Sequence, residues 1–318
     1  MSAFRAPEKK KVKLKMALIG PSGSGKTFSA LRICAGLEGR TAMIDTENGS
    51  GELYADRFCY MVAPLEPPYT PQRYMELIRM AQEEGFDNLI IDSLSHAWAG
   101  AGGILDIKDK VGKAKHNSFD AWRDVTPQHN ALVDAILQTP LHVLVCMRAK
   151  TAYELVKDDN GKVKPVKIGL APVQRDGLEY EFTLVADMSV DEHVAAVTKD
   201  RTQLFDGKCL VPTEEMGRQL LGWLNSGADP LPGPLTAVQR RRLLAEVQRA
   251  GLEAAEVKAI IQSRFNVASS KELNEAQGAE LVAYLETLPH AGDEGAETFD
   301  SAGDSTEDQG EREGTYDA

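Results

Sequence analysis

The chain has 318 residues, of which 48 are Asp or Glu and 36 are Lys or Arg, so its formal net charge is −12. This length suffices for one α/β core and a small appended domain. No apolar run of about 18 residues occurs, and no apolar stretch follows the first lysines, so neither a membrane span nor a secretory signal is predicted. Four widely spaced cysteines, each in an apolar run, predict reduced core residues and a cytoplasmic protein.

The negative charge is concentrated at the C-terminus. Residues 289–318 hold ten acidic residues and one arginine, which leaves 38 acidic and 35 basic residues elsewhere. The body of the chain is therefore nearly neutral and can carry basic patches. Lysines cluster in two places: Lys9, Lys10, Lys11, Lys13 and Lys15, then Lys108, Lys110, Lys113 and Lys115. The tail is poor in apolar residues, so we expect it to be disordered and either solubilising or partner-binding.

Strands and helices are predicted to alternate along the first half of the chain. Apolar runs predict strands at 12–19, 41–45, 58–62, 89–92 and 142–147. Helical spacing predicts helices at 26–37, 72–84 and 122–137. Strands this apolar have no polar face, which indicates an α/β fold with a mostly parallel sheet buried between helices. Residues 100–118 lack clear periodicity and are predicted to form a long loop that is either functional or disordered.

The second half of the chain predicts an antiparallel extension and a separate helical domain. A turn signal at 158–161 between two short apolar runs predicts a β-hairpin, followed by strands at 182–188 and 193–198 and a helix at 214–224. The spacings of Thr236 with Gln239 and of Ser269 with Glu272 fit capping boxes that precede helical apolar patterns. The apolar residues after residue 236 predict three short amphipathic helices in all. The predicted domains are a core at 1–225, a linker at 226–235, a helical domain at 236–288 and a tail at 289–318.

Residues 20–27 match the phosphate-binding pattern G-x-x-x-x-G-K-[ST]. The motif consists of Gly20, Pro21, Ser22, Gly23, Ser24, Gly25, Lys26 and Thr27. It follows a predicted strand and opens a predicted helix, which is the context that this loop requires. Backbone N–H groups and the helix N-terminus would bind phosphates, Lys26 would neutralise them and Thr27 would ligate Mg²⁺. The pattern predicts an ATP and Mg²⁺ site, against the alternative of a glycine-rich turn without a ligand.

Two carboxylates are candidates to complete this site. Asp92 ends the apolar run 89–92 and is predicted to hold the metal's water shell as the Walker B residue, unless it only caps a turn. Glu47 follows the strand 41–45 and is the candidate to polarise the attacking water. The alternative for Glu47 is an exposed loop acid.

The segment Met43-Ile44-Asp45-Thr46-Glu47 resembles the one whose glutamate activates water in RecA and its homologues. AAA+ proteins instead place a glutamate directly after the Walker B Asp, where this chain has Ser93. Lys199 and Arg201 lie two apart on a predicted strand, so both point the same way. The resemblance implies that this pair reaches the γ-phosphate of a neighbouring subunit. Arg148 stands where the family has a γ-phosphate sensor, usually an amide.

Residues 12–224 resemble a compact RecA-type P-loop ATPase, and among these the phage RecA-like single-strand annealing and nucleotide-binding proteins. The runs 171–182 and 198–202 carry the likeness, and 236–288 resembles a C-terminal module of phage recombination proteins. The resemblance implies a homo-oligomeric ATPase, in a ring or a filament, that binds single-stranded DNA and promotes annealing. Its implied partners are a single-strand binding protein or a recombinase, in the bacterial cytoplasm if the chain is phage-encoded.

The resemblance also places the DNA-binding segments. RecA relatives contact DNA through loops after the Walker B strand and after the next strand. Those positions hold the cluster 108–115 and the hairpin lysines Lys150, Lys157, Lys162, Lys164 and Lys167, which can neutralise phosphates or simply be solvated. Other functions stay open at this point: a helicase loader or other replication motor, a small-molecule kinase, or a switch that binds nucleotide without turnover.

Overall fold

The computed structural model describes residues 4, 6–115, 118–157, 163–229, 233–235 and 237–290, with the backbone alone at 115, 118–119, 151–157, 163–170 and 237. The chain divides into two compact units, Met1–Pro230 and Leu231–Ala318. The predicted turn at 158–161 and nearly all of the acidic tail lie outside the described residues. The predicted domain bounds stay predictions.

Within the described residues, a sheet of nine strands forms the centre of the first unit. The strands are β1 (Lys15–Gly20), β2 (Thr41–Asp45), β3 (Met61–Pro64), β4 (Asn88–Asp92), β5 (His142–Lys157), β6 (Val163–Pro172), β7 (Leu184–Met188), β8 (Ala195–Asp200) and β9 (Cys209–Leu210). Their order is β3-β2-β4-β5-β1-β7-β8-β9, with β6 paired to β5. Neighbours from β3 to β7 are parallel, whereas β6, β8 and β9 pair antiparallel. The predicted α/β fold class, with a mostly parallel sheet and an antiparallel hairpin extension, is confirmed.

Helices cover both faces of this sheet. They are α1 (Lys26–Leu37), α2 (Pro71–Glu83), α3 (Ser95–Ala99), α4 (Ile104–Lys115), α5 (Ser118–Gln138) and α6 (Glu214–Leu224). Successive strand side chains point to opposite faces. Leu18 therefore packs in the cluster formed with α1 and α6, and Ile19 packs in the cluster formed with α2 and α5. The two clusters hold the parallel strands rigidly, so the residues at their carboxyl ends have fixed positions.

Helices α1 and α6 approach one another through two glycines. A Cβ atom on Gly36 would lie 1.9 Å from the carbonyl oxygen of Glu214, and one on Gly217 would lie 2.2 Å from that of Ile33. Only glycine fits at either position, because backbone rather than a flexible side chain fills the space. This contact fixes α1, and with it the loop that precedes α1.

The prediction of a long loop at 100–118 is wrong, because α4 and the start of α5 occupy it. Ile104 follows Gly103, is itself buried and begins a helix that continues through Gly112 to Lys115. Asp106 accepts a hydrogen bond from the N–H of Gly102 at 2.7 Å and pairs with Lys110 one turn later at 2.9 Å. Lysine is a good helix former, so the lysine-rich composition was not evidence for a loop.

Smaller differences separate the predicted and observed elements. Strand β1 begins at Lys15 rather than at residue 12, and β3 lies three residues later than predicted at its start. Cys34 and Cys146 are buried free thiols as expected, whereas Cys59 and Cys209 are exposed, so the core prediction is wrong for these two. Among the described helices, none combines the length and hydropathy needed to span a bilayer.

The described residues of the second unit form three helices around their own apolar cluster. They are α7 (Ala237–Arg249), α8 (Ala254–Phe265) and α9 (Glu275–Glu286). Leu243, Ile261 and Leu281 are buried where these helices meet. A capping box of Asn274 and Gln277 begins α9, so the capping box predicted at Ser269 is wrong. The side chain of Thr236 lies outside the described residues.

Candidate functional site

The predicted phosphate loop joins the end of β1 to the start of α1. Gly23 and Gly25 have φ angles of 79° and 82°, a left-handed conformation that glycine adopts without strain. Gly25 is also the N-cap of α1 and offers no side chain to accept hydrogen bonds from the first helical N–H groups. Those groups and the positive end of the helix dipole are therefore suited to bind an anion.

Lys26 lies against this loop. Its Nζ donates hydrogen bonds to the carbonyl oxygens of Gly20 at 2.9 Å and Pro21 at 2.8 Å. The ammonium is therefore held over the loop rather than extended into solvent. An incoming phosphate can exchange for these two carbonyls, since a charged acceptor binds an ammonium more strongly than a neutral one does.

Thr27 and Asp92 meet at the carboxyl end of the sheet. The Thr27 hydroxyl donates to Asp92 Oδ2 at 2.5 Å, and only 3% of Asp92 is exposed. Burial raises the pKa of Asp92 to about 6 and the nearby charge of Glu47 adds to the rise, while Thr27 and Lys26 oppose it. A partly buried hydroxyl and a buried carboxylate are oxygen ligands of the kind that Mg²⁺ prefers. These residues therefore fit a magnesium ion.

The segment after β2 is tied to Asp92 by backbone hydrogen bonds. Thr46 N donates to the Asp92 carbonyl at 2.7 Å, and Ser93 N donates to Thr46 Oγ1 at 2.7 Å. The peptide bond between Asp92 and Ser93 is cis. Asp45 accepts from the N–H of Glu47 at 2.7 Å and of Gly51 at 3.2 Å. Buried Asp45 thus fixes the turn that carries Glu47 beside the end of β4.

The Glu47 carboxylate forms a bidentate ion pair with Arg148. Arg148 Nε donates to Oε1 at 2.9 Å, and its terminal nitrogen donates to Oε2. Burial acts to raise the pKa of Glu47, but the hydrogen bonds and charge of Arg148 outweigh it and lower that pKa. Glu47 is therefore an oriented, ionised and partly buried acid. It is not the freely exposed loop acid that was the alternative.

His96 supports this pair from the side. Its Nδ1 lies 2.7 Å from Thr46 Oγ1, and its ring stacks on Tyr69 with centroids 4.8 Å apart. Burial and the charge of Arg148 lower the pKa of His96. The ring is therefore neutral near pH 7 and holds Thr46 by a hydrogen bond rather than by charge. No sequence motif pointed to His96, because its role depends on α3 lying beside the turn that follows β2.

Lys199 and Arg201 reach the same atom of their own chain. Lys199 Nζ donates to the carbonyl oxygens of Glu179 at 3.2 Å and Tyr180 at 2.5 Å, and Arg201 donates to Tyr180 O at 3.0 Å. Strand β8 ends at Asp200, so the prediction that both residues lie on one strand is wrong for Arg201, although both side chains reach Tyr180. By sheet order β8 lies away from Glu47 and Asp92. Their action on a neighbouring subunit stays a prediction.

A cavity of about 470 Å³ beside the phosphate loop was not foreseen from the sequence. Gly23 and Gly25 line one side, and Phe28, Tyr54 and His193 line the others. The Phe28 and Tyr54 rings meet edge to face with centroids 5.4 Å apart. Aromatic walls next to a phosphate loop suit a nucleoside base. Sequence patterns missed them, since isolated aromatic residues resemble core.

The lysines predicted to bind DNA are placed differently from one another. Lys108 and Lys110 lie on α4 and pair with Asp109 at 3.0 Å and Asp106 at 2.9 Å. Lys150 is exposed at the base of the β5–β6 hairpin. The side chains of Lys115, Lys157, Lys162, Lys164 and Lys167 lie outside the description. The described part of the first cluster is thus partly neutralised, which a count of lysines does not reveal.

Comparisons with known proteins identify a family for the core of the chain. Residues 12–213, nearly two thirds of the chain, match the family model described as an AAA domain. Among solved structures, the chain is similar to a prototypical ATPase from the type III secretion system of pathogenic bacteria, at 12% identity and a TM-score of 0.34. That alignment covers 85% of this chain and 79% of the other. No curated protein matches the sequence.

Proposed function

The chain belongs to the AAA domain family and carries a P-loop ATPase domain, and we propose that Glu47 activates the water that attacks bound ATP. The observation that carries the proposal is the position of Glu47. Its turn is bonded to Asp92, and Asp92 is bonded to Thr27 of the phosphate loop. The acid, the metal-ligand pair and the anion site therefore meet at one edge of the sheet.

Each residue has a role that follows from its contacts. The loop amides and Lys26 bind the triphosphate, and Thr27 and Asp92 would hold Mg²⁺, which neutralises phosphate charge when bound. Glu47 accepts a hydrogen bond from water and takes its proton as the γ-phosphoryl group is attacked. A carboxylate has about four lone-pair sites, so Arg148 can orient Glu47 while leaving room for water. General-base catalysis of this kind typically contributes 10²- to 10⁴-fold.

The proposed ligand of this ATPase is single-stranded DNA, and the proposed activity is annealing or recombination of that DNA. Support comes from the phage RecA-like segments and from the chain's nearly neutral body with basic segments. The hairpin strand β5 begins within the core and carries Arg148 two residues before exposed Lys150. A phosphate chain bound at the hairpin would therefore pull on the strand that holds the Glu47 pair. Such binding would weaken steeply with salt.

Assembly is part of the same proposal. Lys199 and Arg201 would act on the γ-phosphate of a neighbouring subunit in a homo-oligomer, ring or filament. A single-strand binding protein or a recombinase would be the protein partner. The chain would be phage-encoded and would act in the bacterial cytoplasm. The small second unit would provide a further contact for DNA or for that partner.

The test is ATP turnover with and without single-stranded DNA at low salt, with duplex DNA as a control. We expect turnover to rise with single-stranded DNA and to rise less with duplex DNA. If single-stranded DNA does not change turnover and the protein binds no DNA at low salt, the DNA-binding part of the proposal is contradicted. The ATPase part would still stand. A stable complex with a replicative helicase would instead support the helicase-loader function.

A further inference from the structure

Two tryptophans form a stacked pair outside the nucleotide site. Trp98 of α3 and Trp122 of α5 have ring centroids 5.9 Å apart and planes inclined by 23°. The ring of His129 packs edge-on against Trp98 at 5.5 Å. Both tryptophans are partly exposed, although a folded domain gains most by burying rings of this size. Flat apolar rings that remain accessible are a feature of ligand-binding surfaces.

Cationic side chains lie beside this pair. A cavity of about 380 Å³ is lined by the two tryptophans and by Lys150, Arg175 and Asp176. Lys108 adds an ammonium 5.8 Å from the centroid of the Trp122 ring. The surface combines aromatic rings with three cations, of which Lys108 also pairs with Asp109. A ligand that alternates flat rings and negative charges complements it, and single-stranded nucleic acid has that chemistry.

A buried glutamine holds the surface in shape. Gln174 is 3% exposed, and its Nε2 donates to the carbonyl of Leu94 at 3.3 Å. Its Oε1 accepts from the N–H of Arg175 at 2.9 Å and lies 3.3 Å from His129 Nε2. One side chain thus joins α3, α5 and the segment after β6. The rings and Arg175 are therefore positioned before any ligand arrives, which lowers the entropy cost of binding.

Helix α3 connects this surface to the catalytic acid. At its start, Ser95 Oγ accepts a hydrogen bond from the N–H of Arg148 at 2.9 Å, and His96 contacts Thr46. At its other end is Trp98, three residues beyond Ser95. A ligand stacked on Trp98 would thus contact the same short helix, α3, that contacts both Arg148 and Thr46.

We propose that the Trp98–Trp122 surface binds the bases of single-stranded nucleic acid by stacking, with Lys108, Lys150 and Arg175 on the phosphates. The inference rests on the proposed function, because it places the DNA of that function on specific residues. Strand binding here acts through α3 on the Glu47–Arg148 pair, so the same contact that gives affinity also alters turnover. The surface reads no sequence, since every base has a face that stacks.

Intrinsic fluorescence tests the stacking directly. The chain has three tryptophans, and the third, Trp223, lies on α6 under the ammonium of Lys9 at 4.0 Å. A Trp223→Phe protein therefore reports only on Trp98 and Trp122. Titration with oligo(dT) is expected to quench its emission, and an equal concentration of duplex DNA is expected to leave it unchanged. An oligo(rU) titration shows whether the surface also takes RNA, and quenching by RNA alone would overturn the assignment to DNA.

Affinity measured by the anisotropy of a labelled oligo(dT) tests the same residues without using turnover. Trp122→Ala and, separately, Lys150→Glu are each expected to weaken binding, the tryptophan change by about tenfold or more. Trp122→Phe keeps a stacking ring and should retain most of the affinity. Lys271→Glu, an exposed lysine of the second unit, is the charge-matched control. Thermal melting identifies any variant that is merely unfolded, and Lys150→Glu changes an exposed side chain.

Failure of this inference differs from failure of the proposed function. A protein that binds oligo(dT) with unchanged affinity after both Trp122→Ala and Lys150→Glu, and without quenching, overturns the inference alone. A wild-type protein that binds no single-stranded DNA at low salt overturns both.

Discussion

Lysines near the N-terminus show how differently neighbouring residues of one type are used. Lys15 Nζ is buried and donates to the carbonyl oxygens of Thr139 and Leu141, both at 2.8 Å. Lys11 pairs with Asp229, and Lys9 lies over a tryptophan ring. These side chains therefore do not form one basic patch. The number of lysines in the sequence could not predict this difference, because it does not show which lysine side chain is buried by β1.

Lys15 gives a pH dependence of stability. Burial, with help from the charge of Lys13, lowers the pKa of Lys15 to about 7. In the unfolded chain the pKa of lysine is about 10.4, so the unfolded state binds more protons between these values. The free energy of unfolding should therefore rise as pH increases from about 7 to about 10. Denaturant titrations should show this rise in wild type and in Lys271→Met, and a flatter profile in Lys15→Met. Equal slopes in all three proteins would contradict it.

Tyr54 gives a prediction about the nucleotide base. Its ring lines the cavity beside the phosphate loop and meets Phe28 edge to face. We expect Tyr54→Ala to raise the KM for ATP by about tenfold, because base–aromatic contacts are worth roughly 1–3 kcal/mol. Turnover at saturating ATP should change little, since the ring lines the cavity beside the phosphate loop and is not part of that loop. Tyr54→Phe keeps the ring and should match wild type; equal loss in both would assign the effect to the hydroxyl.

Motifs predicted the phosphate loop and the two carboxylates at the level of single residues, and the fold brings them to one edge. They did so because the loop's chemistry requires a fixed spacing along the chain. The partners of Glu47 could not be predicted in this way. Arg148 reaches it from β5, which β4 alone separates from β2 in the strand order, and His96 of α3 contacts the neighbouring Thr46.

At the scale of elements, the contact between α1 and α6 offers a matched pair of substitutions. A Cβ on Gly217 would lie 2.2 Å from the carbonyl oxygen of Ile33, whereas one on Gly222 of the same helix would have no atom within 4 Å. Gly217→Ala should lower the free energy of unfolding by about 1–3 kcal/mol through overpacking. Gly222→Ala should raise it by roughly 0.5–1 kcal/mol through helix propensity. Thermal or denaturant melting distinguishes the two, and similar values would contradict the close packing.

Predicted helices succeeded or failed for identifiable reasons. The bounds of α1 and α6 were predicted to the residue, because a glycine-rich loop precedes one and Thr213 caps the other. The helix α4 was missed, since the four glycines and the lysines of residues 100–118 masked a helix only twelve residues long. Its stability comes from packing against α5 and from the Asp106 contacts, which periodicity alone does not record.

At the scale of the whole molecule, the proposal requires subunits that share active sites. Mixing Glu47→Gln with Arg201→Ala protein should restore part of the activity if Arg201 acts in trans. In an equal mixture, about a quarter of head-to-tail interfaces would pair an intact Glu47 with an intact Arg201. The measurement is ATP turnover of the mixture against each variant alone. Turnover equal to the average of the two variants would mean that each subunit works by itself.

The most direct test of the account is Glu47→Gln, measured for ATP binding and for turnover in the same preparation. The amide keeps the size of the side chain and can still accept a hydrogen bond from Arg148, but it cannot take a proton from water. We predict that turnover falls by about 10²- to 10⁴-fold while ATP affinity stays within a few-fold of wild type. Turnover close to wild type would show that water is activated elsewhere and would contradict the proposed mechanism.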